Sequence, residues 1–89
     1  MTNREFVLWL WGFLELCASQ IIDRKMLFII RNHLNLVKAV EGELGEFNQM
    51  IWKRIADALD ANQEASDTTL FDELKEAVGT RLAEIEAGV

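Results

Sequence analysis

Residues 6–18 (FVLWLWGFLELCA) contain one charged side chain, Glu15, and one glycine, Gly12, so a helix built from them is apolar on every side. A surface helix carries an apolar stripe and a polar back. One that is apolar all round must be buried in a large core, a bilayer or a partner. Eighty-nine residues make one small domain that buries a modest share of its surface. The opening segment therefore predicts self-association, with Phe6, Trp9, Trp11, Gly12 and Phe13 as the subunit contact. Successive side chains are about 100° apart on a helix, so Phe6, Trp9, Trp11 and Phe13 cannot all face one helix of the same chain, and the surface left over is where the second subunit is expected.

A bilayer span needs roughly 20 apolar residues, and this run is shorter. As an export signal it is weak, because Arg4 is offset by Glu5 and Glu15 interrupts the run; Leu16 stands where a lipoprotein signal would place a small residue. The only cysteine, Cys17, excludes an intrachain disulfide and fits a reducing setting. These features predict a cytoplasmic protein without a membrane role.

Zero prolines, no tyrosine and an abundance of Leu, Ile, Ala and Glu predict an all-α fold. Thr2 and Glu5 have capping-box spacing, which starts a first helix at about 3 to run to 18. Residues 19–22 form a short connection, and Asp23 is placed to cap the next helix. From Leu27 the apolar residues fall at 27, 30, 34, 37, 44, 51, 55 and 58, in alternating steps of three and four if Glu41 and Asn48 fill the gaps. Gly42 and Gly45 each cost about 1 kcal/mol inside a helix, yet the phase continues past them. The expectation is one long helix over 24–61, about 57 Å long, with any kink at those glycines. Residues 62–68 (NQEASDT) read as the one loop. Leu70, Leu74, Val78, Leu82 and Ile85 mark a face of a last helix over 69–87, folded back on the long one.

The net charge of −6 is uneven. Residues 1–40 carry five Lys or Arg against three acids, a net +2; residues 41–89 carry four against twelve, a net −8. The acidic half argues against direct DNA binding and leaves room for a basic partner, with Glu41, Glu43, Glu46, Asp57 and Asp60 as the face of an acidic nucleic-acid mimic. Arg24, Arg31 and Lys38 are spaced by seven on the polar side of the long helix, with Phe28 among them. Such a stripe suits a small anionic nucleotide, guanidiniums on phosphate and an aromatic under the base; the plainer reading is a solvated helix back, or pairing with acids of the carboxyl-terminal half. His33, the only histidine, falls in the apolar arc near Ile29 and Val37, which predicts a hydrogen-bonded packing residue.

Glu43-x-x-Glu46 followed by Glu64-x-x-Asp67 resembles the ExxE and ExxD pattern of all-helical nucleotide pyrophosphohydrolases of the MazG type. That resemblance implies magnesium held by carboxylates on facing helices, bridging a triphosphate and activating water. The chain departs from the pattern at Gly42, where an acid is expected, and in placing the second pair in a loop. Without that reading no cofactor is expected.

The blocks EFVLWLxGFLEL at 5–16 and IIxxHLxLV at 29–37 resemble small uncharacterised proteins of tailed phages and prophages over about residues 5–38. In those proteins the stretch between the blocks looks like a Thr-containing cap before a helix, from which Ile21-Ile22-Asp23 departs; residues 41–89 look like an added extension. The resemblance implies a phage accessory protein acting in the host cytoplasm, with no catalytic residues to carry over. Our reading built on it is a non-enzymatic helical oligomer that binds a host protein or a signalling nucleotide in counter-defence.

Overall fold

The computed structural model describes residues 1–61 and 69–88. They form an all-α bundle of α1 (Asn3–Glu15), α2 (Arg24–Glu41), α3 (Glu46–Asp60) and α4 (Thr69–Glu86). Local chemistry starts the first two helices as the sequence predicts. The Thr2 hydroxyl accepts from the Glu5 N–H at 3.1 Å while the Glu5 carboxylate accepts from the Thr2 N–H at 2.8 Å, so two amides of the first turn are satisfied reciprocally. The Asp23 carboxylate accepts from Met26 N–H at 2.8 Å. The first helix stops three residues short of the expected 18. The Leu16 N–H closes it onto the Gly12 carbonyl, Gln20 takes a φ of 56°, and the turn brings Ile22 into the core at 2% exposure.

The expected 24–61 helix is divided at the glycines. Gly42 has a φ of 82° and returns its N–H to the Lys38 carbonyl, a left-handed helix end open chiefly to glycine. Gly45 then starts α3 with no side chain to cap it, and its own N–H goes to Asn3 Oδ1 at 2.8 Å. Asn3 lies at the head of α1, and its backbone N–H and its Nδ2 both donate to the Glu41 carboxylate. Those tertiary hydrogen bonds hold the reversal. A 57 Å rod is also longer than the molecule, whose extents are 36 × 25 × 18 Å.

The reversal explains why the heptad phase carried across the break. Helices α2 and α3 lie antiparallel, with Arg24 Nη1 donating to the Leu59 carbonyl at one end and the Lys38 ammonium 3.8 Å from the Trp52 ring centre further along. Both turn their stripes to one core: Leu27, Ile30, Leu34 and Val37 from α2, Asn48, Ile51, Ile55 and Ala58 from α3. Leu44 is buried in the link itself. A common core imposes the same phase that a continuous helix would.

Helix α1 occupies the middle of the bundle, between α2 and α4. Trp9 meets His33 of α2, Glu15 pairs with Lys75 of α4 at 3.4 Å, and Trp11 lies against Gly79 of α4. Phe6, Val7, Leu10 and Leu14 form its buried face, against Leu70, Phe71, Leu74 and Val78 of α4 in the same core. The accessible surface of 5419 Å² is close to the about 5300 Å² usual for a 10.2 kDa monomer. The chain therefore closes over most of its own opening helix, contrary to the expectation that 89 residues could not.

Candidate functional site

The five residues expected at a subunit contact have different places. Phe6 is fully buried in the chain's own core. Trp9 is half-buried in a stack, 5.0 Å from Phe13 on α1 and 3.8 Å from His33 on α2, near-parallel to both. Trp11 is half-buried on the opposite flank, its ring 4.9 Å from the Lys75 ammonium. The two indoles thus turn sideways onto α2 and α4. Gly12 lies between them with nothing within 4 Å of where a Cβ would stand. Its neighbours one turn either way, Leu8 and Leu16, are 47% and 87% exposed.

The open arc of α1 is therefore Leu8, Gly12 and Leu16, bordered by Trp9. Helix α2 extends it: Leu36 and Val40, three and seven residues beyond His33 and on its side of the helix, are both exposed. Leu8 and Leu16 escape a reading of α1 by composition alone; their signal was the i, i+4, i+8 spacing about Gly12.

His33 is a packing residue, as its position on the apolar arc implies. Its Nδ1 lies 2.8 Å from the Ile29 carbonyl, four residues back, so that nitrogen donates and the ring is held flat against Trp9. Cys17 is half-buried, with Sγ 3.6 Å from the Ile21 carbonyl.

The basic stripe is folded onto its own rings. Both the Arg24 and Arg31 guanidiniums sit over Phe28, 5.3 and 4.8 Å from its centre, and Lys38 sits over Trp52. Phe28 consequently offers no vacant platform for a base unless a guanidinium leaves it, and the cations are positioned by cation–π attraction within the chain. Among the acids, Glu43 falls in the link between α2 and α3 and Glu46 in the first turn of α3, so a helix boundary separates the first pair. Glu64 and Asp67 lie outside the described residues. Among the described residues no three His, Cys, Asp or Glu side chains are grouped to hold a metal. Glu41, Glu43, Glu46, Asp57 and Asp60 are all exposed.

One polar node was missed by sequence reasoning. Asn48, which fills a gap in the apolar stripe, is 2% exposed, and its Nδ2 donates to the Asn3 carbonyl at 3.1 Å and to Asn3 Oδ1 at 2.9 Å. Nothing in the local sequence joins positions 3 and 48. Among the described residues no helix is long and apolar enough to cross a membrane.

These features define an all-helical protein with an open apolar arc on its central helix. No protein-family model, curated protein or solved structure matches the chain.

Proposed function

We propose that the protein is a non-enzymatic binding protein that works as a self-associated helical unit, an accessory protein of the phage type acting on a host component in the cytoplasm. The observation that carries the reading is the open arc of Leu8, Gly12 and Leu16 beside Leu36 and Val40. Four large apolar side chains on one side of so small a molecule are a surface to be covered. A glycine in mid-helix costs about 1 kcal/mol against alanine, and no neighbour among the described residues needs the space. Close approach of a second backbone would use it. In a two-fold contact centred on Gly12, antiparallel α1 helices set Leu8 against Leu16 of the other copy and Leu16 against its Leu8.

Sedimentation velocity across the micromolar range tests the reading. The expected result is a concentration-dependent dimer that the double substitution Leu8→Asp, Leu16→Asp dissociates while the helical circular dichroism is retained. A wild-type protein that remains monomeric throughout would overturn it.

A further inference from the structure

Residues 42–45 divide the fold into two halves, α1 with α2 and α3 with α4. The packing of α2 on α3 and of α1 on α4 crosses that division. Both pairings can therefore be made by the same helices of a second copy, provided the link opens. Little in the link opposes that. Gly42 is exposed and left-handed, with nothing within 4 Å of where a Cβ would stand, and Gly45 starts α3 without a side-chain cap. The Gly45 N–H donates to Asn3 Oδ1. In a helix running on through the link it would donate instead to the Glu41 carbonyl, four residues back, so the bond is exchanged and not lost. Leu44, buried in the link, falls between Val37 and Ile51 on one apolar seam, which a straight helix keeps on a single face.

We infer that the link is a hinge through which two copies exchange halves. Residues 24–60 straighten into one helix, two such helices lie antiparallel, and α3 and α4 of each copy cover α2 and α1 of the other. Leu27, Ile30, Leu34 and Val37 then meet Ile51, Ile55 and Ala58 of the second copy in the antiparallel sense they already have within one chain. The core is remade from the same residues, so the two forms differ chiefly at 42–45. The exchange does not rest on the arc of Leu8, Gly12 and Leu16, which it leaves open.

The test is a spin-label distance measurement on the full chain with Cys17→Ser, Lys25→Cys and Asp60→Cys, refolded at millimolar concentration with an excess of unlabelled chain and separated by size. Every chain also carries Leu8→Asp and Leu16→Asp, so a failed arc contact cannot alter the outcome. Lys25 and Asp60 are exposed neighbours of Arg24 and Leu59, which lie 3.4 Å apart in the closed chain; in the straight helix the labelled positions are about 52 Å apart. Alanine is disfavoured in the left-handed conformation and favoured inside a helix, so Gly42→Ala should favour opening by at least about tenfold per chain and raise the dimer association constant about a hundredfold or more. Gly42→Asn, tolerated left-handed and a poorer helix former, should not. Gly45→Ala trades a better cap for a better helix interior and shifts the balance the same way, which decides the question if Gly42→Ala does not fold.

The expected result is a dimer, enlarged by the alanine substitution, whose labelled chains give the long distance while the monomer gives the short one. A dimer with only the short distance, alanine chains no more dimeric than those that keep both glycines, or Gly42→Asn dimerising as strongly as Gly42→Ala would each overturn the inference.

Discussion

Replacing Gly12 and Gly79 by alanine, one at a time, separates the face of α1 that the chain closes from the face it leaves open. Both glycines are interior to a helix, where alanine is better by about 1 kcal/mol. At Gly12 a new Cβ meets nothing within 4 Å, so the whole gain should appear in the dilute monomer, a rise in melting temperature of about 4–8 °C for a domain of this size. At Gly79 the same Cβ would stand 3.2 Å from Cζ3 of Trp11 and 3.7 Å from its Cη2. The indole cannot simply withdraw, because its edge is set by α4 and its ring faces the Lys75 ammonium. Overpacking a close contact costs about 1–3 kcal/mol, which exceeds the helix gain, and a net loss of about 1 kcal/mol is expected. Urea unfolding monitored by circular dichroism reads both, with unchanged m-values showing that the two-state comparison holds. At concentrations where copies associate, the advantage of Gly12→Ala should shrink, since a methyl group there holds two backbones apart. A dilute Gly12→Ala protein less stable than wild type, or a Gly79→Ala protein as much stabilised as Gly12→Ala, would refute the reasoning.

Asn3→Ala removes the acceptor of the Gly45 N–H, one acceptor of Asn48 and the Nδ2 donor to Glu41, while the backbone N–H to Glu41 stays; a loss of about 2–3 kcal/mol in urea unfolding is expected, and one below about 0.5 kcal/mol would show that the node does not hold the α2–α3 reversal. Phe6→Ala empties a fully buried position and should cost about 3–5 kcal/mol, independently of protein concentration; a loss that grows with concentration would return Phe6 to a subunit contact. The Glu5 carboxyl is held below its ordinary 4.5, first by the Thr2 backbone N–H and then by the Thr2 hydroxyl. A depressed carboxyl stabilises the fold above its unfolded-state value and ceases to as pH falls through the folded-state value, so the first turn of α1 should loosen in acid below pH 4.5. Carboxyl-carbon titration by NMR should find Glu5 low in the wild type and returned only part of the way in Thr2→Ala, which keeps the backbone donor.

Much of the bundle was legible because its signals are local. The caps at Thr2 and Asp23 need only a side chain and amides within three residues, and both form. The stripes at Leu27, Ile30, Leu34 and Val37 and at Leu70, Leu74 and Val78 are buried as periodicity predicts. The basic stripe on α2 was also legible as a line of residues, but its engagement with Phe28 and Trp52 depended on side-chain contacts that spacing does not reveal.

The sequence by itself determined that the chain is helical, where its first two helices begin and which faces turn inward, since these follow from hydrogen bonds and periodicities a few residues long. Tertiary structure alone decided that residues 42–45 reverse the chain, because the glycine penalty there is small and the side chain that secures the turn comes from Asn3, about forty residues away. It likewise decided how much of α1 is hidden. An apolar helix states only that it must be covered, and its covering by α2 and α4, down to an open line at Leu8, Gly12 and Leu16, depends on which elements the folded chain brings beside it.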